Sequence, residues 1–215
     1  WIWLRTPDFA VAEIPNLQIP EHPFLQVTSG PAFFSHWEEA APLSPKSRLL
    51  SGLRRPEDLA KLVVLDTWIR NKDRFSDVGG KGHGVANFDN VLLRRDKRKV
   101  ELVVIDHTHA FIETTLEDEL DQEWIDEQEV FGLFGQFEPF LTRKSIDDAL
   151  TAVNKIDLEA IRGICQEAPR EWGMTHNLAN RLSTSIFERG SKLGTWLPLA
   201  LFDQYEMTLL QGGRA

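Results

Sequence analysis

The stretch that decides the fold runs from Leu62 to Phe111. It reads LVVLDTWIRNKDRF over residues 62–75, SDVGGKGHGVA over 76–86 and NFDNVLLRRDKRKVELVVIDHTHAF over 87–111. The first piece belongs to a helix. Pro56 suits the first helical position, and Glu57 and Asp58 suit its positive end. Leu59, Leu62, Val63, Leu65, Trp68 and Ile69 then give it a broad apolar surface up to about Arg70. A polar turn follows, Asn71-Lys72-Asp73-Arg74. The third piece reads as a β-hairpin: Val91 to Leu93 rises, Arg94 to Lys99 turns, and Val100 to Ile105 returns. Each strand carries a polar residue at its mouth, Asn90 before the first and Asp106 after the second.

Asp73, Asn90 and Asp106 are therefore expected at one end of the hairpin. Phosphoryl transfer from ATP uses that set: one Asp accepts or orients the attacking hydroxyl, while an Asn and a second Asp offer oxygen ligands to Mg²⁺ against the phosphates. Taken singly the residues say little. Asn71 to Arg74 alone is an ordinary helix C-terminus with a solvated Asp73. The specific signal is the order Asp, Asn, apolar strand, turn, apolar strand, Asp. Asp66, set among apolar residues, reads as a buried acid bracing a neighbouring loop. Arg74 reads as a clamp on a nearby carboxylate. A competing pattern lies in Asp106, His107 and His109, with His83 nearby, as ligands for Zn²⁺ or a metal pair in a phosphohydrolase. The chain has neither an H-E-x-x-H motif nor a cysteine pair to support it.

D-x-W-x-x-N-x-D-R (Asp66 to Arg74), N-V-L-L (Asn90 to Leu93) and V-V-I-D-H (Val103 to His107) resemble the catalytic core of HipA-like kinases. The nearest likeness is to the compact group that carries I-D-H-G. More distantly, these motifs resemble the D-R-H-x-x-N and I-D-F-G loops of phosphatidylinositol kinases. The resemblance implies an α+β, protein-kinase-like fold, a small β-rich lobe followed by a mainly helical one. It implies a kinase using ATP and Mg²⁺ or Mn²⁺, with Ser or Thr of a protein as acceptor. Asp73 would be the base, and Asn90 and Asp106 the metal ligands. Asn87 is the alternative ligand, because Asn87-Phe88 also matches the family. Gln26, Val27 and Thr28 fall by position at the adenine-holding hinge. Lys81 and His83 in the insert, and His107, are candidate phosphate or substrate contacts. The chain departs from the family in two places: residues 76–86 lengthen the gap after Asp73, and Thr108 stands where a glycine is expected.

Working outward, Asp8 to Ile14 and Phe24 to Thr28 read as strands separated by a proline-rich loop. Ala32 to Ala41, with Phe33, Phe34 and Trp37, is expected to pack between lobes, and Pro42 to Gly52 to be a linker. No phosphate-covering glycine loop precedes residue 50. Residues 1–41 are thus expected to be a partial N-lobe and hinge, and 42–215 the helical C-lobe, with further N-lobe in the full-length protein. That expectation keeps open a non-catalytic pseudokinase or interaction module. Glu113 to Glu129 holds nine acids and no base, with Leu116, Leu120 and Trp124 at helical spacing. The insert 76–86 has four glycines, but it matches no phosphate-loop pattern. Helices are expected from Ser145, across Ile156 to Ile161, from Thr175 or Asn177 to a stop at Gly190, and over Ser191–Leu197 and Leu199–Leu210. Trp172, Trp196 and Phe202 are expected in the core.

Composition narrows the setting. The 215 residues are 42% hydrophobic and can bury a substantial core. A net charge of -9 disfavours non-specific nucleic-acid binding. The single Cys165 allows no internal disulfide and suits a reducing cytoplasm. No signal peptide and no membrane-length apolar run is evident.

Overall fold

The computed structural model describes residues 4–18, 26–74, 87–111, 115–121 and 126–212. The fold is α+β, with small antiparallel sheets set before and within a helical body. Strands β1 (Phe9–Ile14) and β4 (Gly30–Ser35) form one antiparallel pair, with Phe9 opposite Ser35 and Ile14 opposite Gly30. Between them, β2 (Leu17–Gln18) pairs with β3 (Gln26–Val27). Phe33 and Phe34 of the aromatic segment thus lie in strand β4, and Trp37 lies beyond its end. Phe33, Phe34 and Trp37 are exposed rather than packed between lobes, Trp37 at 84%.

The body forms around α1 (Glu57–Trp68). Leu59, Leu62, Val63 and Val64 have no exposed surface. They share one core with the inner face of a second hairpin, β6 (Val91–Asp96) and β7 (Lys99–Val104), whose Val91, Leu93, Leu102 and Val104 are buried. Strand alternation sends these residues inward and Arg94 and Glu101 outward, where they pair. Val91 faces Val104 and Asp96 faces Lys99, so only Lys97 and Arg98 turn. The expected six-residue turn is really two longer strands. Charge along Arg94 to Lys99 does not prevent pairing, because the outer face is solvated. Short β5 (Ala41–Pro42) adds to β6, and the expected linker carries buried Leu43 and Leu50.

Helices α2 (Leu116–Leu120), α3 (Arg143–Val153) and α4 (Leu158–Gln166) follow. Ser145 is not the start of α3. The cap is Thr142, whose hydroxyl accepts from the Ser145 amide while the Ser145 hydroxyl accepts from the Thr142 amide. The last helix, α5 (His176–Gly212), runs unbroken through Gly190 and Pro198, where stops were expected. Gly190 serves packing: a Cβ there would lie 2.9 Å from Trp68 Nε1. Trp196 is buried in the core and Phe202 packs against it, but Trp172 is 48% exposed. Its indole N–H donates to the Pro31 carbonyl, which ties the helical body to β4. Among the described residues, no helix is long and apolar enough to cross a membrane.

Candidate active site

Helix α1 ends inside the core, and the chain must turn there without leaving backbone groups unmet. Asp66 does much of this. Its carbonyl accepts from the Asn71 amide at 2.8 Å, Oδ1 accepts from Asn71 Nδ2 at 3.0 Å, and Oδ2 accepts from Arg74 Nε at 2.6 Å. Asp66 and Arg74 are both fully buried. Burial pushes the Asp66 carboxyl up to about 6, against the pull of Arg74 and Asn71. The remaining Arg74 donors reach across to the hairpin mouth: Nη1 to the Asn90 carbonyl, and Nη2 to the Ile105 carbonyl and His107 Nε2. One guanidinium therefore fixes the loop after α1 against both strands, as a planar fork of donors can.

With Arg74 anchored, Asp73 is presented at the mouth. Its Oδ2 accepts from Asn90 Nδ2 at 2.7 Å and from Asn87 Nδ2 at 3.0 Å. The two asparagines were rival candidates in the sequence, and the structure brings both to one carboxylate oxygen. The Asn87 amide also donates to the Arg74 carbonyl, closing the loop on itself. Asn90 opens β6, and its carbonyl accepts from the Ile105 amide at 3.2 Å. Asp106, one residue beyond Ile105, thus lies at the same end of the hairpin.

Asp106 adopts φ 53°, a left-handed conformation that Asp tolerates better than most residues. Its Oδ1 accepts from the Thr108 hydroxyl at 2.6 Å and the Thr108 amide at 3.1 Å. The Thr108 hydroxyl is the main cause holding this carboxyl below its usual range. His107 is held differently. Arg74 can only donate, so Nε2 accepts and the neutral ring carries its proton on Nδ1. Burial, with Arg74 beside it, pushes this imidazole down to about 4. Its Nε2 lone pair is engaged, which weighs against His107 as a metal ligand. Among the described residues, no group of three or more His, Cys, Asp or Glu could hold an ion. Asn90 Oδ1 and Asp106 Oδ2 accept from no described residue. As hard oxygen donors they fit Mg²⁺ or Mn²⁺ completed by phosphates and water.

A cleft of about 970 Å³ opens beside Asp106. Phe9, Phe33, Trp37, Leu92, Val104 and Ile105 line it together with Asp106, His107 and Thr108, whereas Asp73, Asn87 and Asn90 are not among its lining residues. Phe9 and Phe33 stack with centroids 5.5 Å apart. Of the expected hinge residues, Gln26 and Val27 form β3, paired to β2, and Thr28 is exposed and not among the residues lining the cleft. His36 to Glu38, Ala40 and Pro42 line it instead. Lys81 and His83 lie outside the described residues.

Sequence reasoning missed Gly132. It has φ 71°, and a Cβ there would stand 2.3 Å from Asp66 Oδ2. The only signal was a lone glycine inside the apolar run Val130-Phe131-Gly132-Leu133. The family model described as HipA-like kinase matches residues 2–191. No curated protein and no solved structure matches the chain.

Proposed function

The chain belongs to the HipA-like kinase family, and from that premise we propose an ATP- and Mg²⁺-dependent protein kinase that phosphorylates Ser or Thr hydroxyls, working in the cytoplasm. One observation carries the reading: the Asp73 carboxylate is pinned by two carboxamides at the mouth of a hairpin whose other strand ends in Asp106, a residue that lines a cleft large enough for a nucleotide. In this reading residues 1–41 contribute the roof of the cleft and residues 42–215 its floor and catalytic loop.

The residues divide the work. Asn87 and Asn90 hold Oδ2 of Asp73, which leaves Oδ1 to meet the acceptor hydroxyl. Asp73 takes the hydroxyl proton as the new O–P bond forms and the bond to the ADP leaving oxygen breaks. Asn90 Oδ1 and Asp106 Oδ2 would hold the cation. When bound, it supplies positive charge against the nucleotide phosphates. The apolar walls and the Phe9–Phe33 pair suit a planar base.

Titration calorimetry tests the metal assignment. Mg²⁺ alone should bind weakly, because two protein oxygens leave most of its six positions to water and phosphate. ATP should bind more tightly with Mg²⁺ than without, and Asp106→Asn should remove that difference. Tight Mg²⁺ binding without nucleotide would contradict the assignment. One observation favours a second reading, a nucleotide-binding module without turnover: Thr108 already occupies Asp106 Oδ1. That reading expects Mg²⁺-dependent ATP binding with no phosphate transfer.

A further inference from the structure

The carbonyls at the end of α1 form a complete account. Leu65 accepts from the Ile69 amide, Asp66 from the Asn71 amide, and Ile69 from the Phe111 amide. The two between them, Thr67 and Trp68, turn to a residue 121 or more positions away. Arg189 on α5 donates through Nε to both, at 3.1 Å each, and through Nη2 to Thr67 again at 2.9 Å. Its Nη1 donates to the Glu127 carbonyl at 2.9 Å. Arg189 is 1% exposed, Thr67 is fully buried, and Trp68 is nearly so. A helix C-terminus carries the negative partial charge that suits a buried cation.

We propose that Arg189 is a positioning residue for Asp73, acting through the end of α1. The inference rests on the reading of Asp73 as the residue that meets the acceptor hydroxyl. Two residues after the clamped Trp68 carbonyl, Arg70 takes φ 50°, a conformation that costs a side chain of that size and is kept where the surroundings hold the backbone. Arg70 is itself fixed by Glu119 Oε2 at 3.1 Å and Glu127 Oε2 at 2.6 Å. The chain then enters Asn71 to Arg74. From the clamped Trp68 carbonyl to Asp73 there are only five residues, so a shift at α1's end passes directly to the carboxylate. Arg189 also reaches the segment bearing Glu127, so one guanidinium sets the two supports of the loop together. Lysine cannot replace it: a single ammonium does not span three carbonyls in fork geometry.

The test compares Arg189→Lys with Leu150→Ala, a core change on α3 that lowers stability without touching α1's carbonyls. Two readouts are taken below both melting temperatures: the side-chain amide NMR signals of Asn87 and Asn90, which report on Asp73, and steady-state phosphate transfer. Arg189→Lys is expected to shift both amide pairs and to lower kcat by about 10²-fold with the KM for ATP within twofold, as misplacement by about an ångström does. Leu150→Ala should leave both readouts near wild type. Should Arg189→Lys not fold, Gly190→Ala serves, because its Cβ pushes α5 off Trp68 while keeping the guanidinium. It should shift the same amides by less. Unmoved amides in the folded variant, or equal movement in Leu150→Ala, overturn the proposal. A wild type that transfers no phosphate overturns the kinase reading, while the amide comparison still decides whether Arg189 positions Asp73.

Discussion

Two hairpins of equal length behave differently in this molecule. Both β1–β4 and β6–β7 are antiparallel with six paired positions. In β6–β7 the inner side chains are buried and Arg74 binds the mouth to the loop after α1. In β1–β4 nearly every position of β1 is open, and Phe9, Val11, Phe33 and Phe34 remain exposed. A ladder of hydrogen bonds is common to both, so the ladder does not make the difference. Burial and a cross-linking charge do, since a lone two-stranded pair is marginal in water. The candidate metal ligands Asn90 and Asp106 flank the strands of the buried hairpin. The open one supplies aromatic wall to the cleft.

The contrast can be broken most sharply at Asp66. Asp66→Ala leaves Arg74 charged and buried without its carboxylate, a loss of about 3–5 kcal/mol in chemical denaturation. If it costs no more than an exposed change on β1, the mouth is not held as described. Gly132→Ala comes next. The new Cβ would overlap Asp66 Oδ2 in a backbone conformation unfavourable to alanine, costing roughly 1–3 kcal/mol. A Tm equal to wild type would refute that close approach. On the open hairpin, Phe33→Ala should change stability by less than about 0.5 kcal/mol, yet weaken ATP binding by roughly 1 kcal/mol through lost aromatic contact. A large stability loss with unchanged nucleotide affinity would reverse the roles given to the two hairpins.

The smallest effect concerns the helical body. Burial pushes the Cys165 thiol up to about 11. A raised pKa means the folded state favours the protonated thiol. Its contribution to stability is full below the ordinary thiol range and is lost as pH rises from about 9 through about 11. At pH 8 native protein should therefore react with a disulfide reagent far more slowly than unfolded protein. Equal rates would show that α4 does not seal the cysteine.

What was legible in the sequence was local. The apolar surface of α1, the polar turn after it and the alternating strands with Asn90 and Asp106 at their mouths are short-range patterns, and they placed the candidate site. The rest depended on contacts between distant segments. Gly190 read as a stop because its neighbour Trp68 is far away in sequence, and the same holds for Gly132 against Asp66. Asn87 and Asn90 competed on paper because spacing cannot show two donors sharing one oxygen. Arg189 gave no sign at all, since a lone arginine on an amphipathic helix ordinarily faces solvent. The aromatics of β4 misled in the other direction: large apolar residues suggest a core, but Phe33 and Phe34 stay exposed on an open hairpin.

The central claim is that Asp73, held by Asn87 and Asn90, meets the acceptor hydroxyl. Phosphate transfer from labelled ATP by Asp73→Asn, measured beside ATP affinity and thermal stability, tests it most directly. Asparagine keeps the size and one acceptor oxygen but takes up a proton poorly. The account predicts transfer lower by about 10²- to 10⁴-fold with fold and ATP affinity nearly unchanged. Full transfer by Asp73→Asn would contradict it.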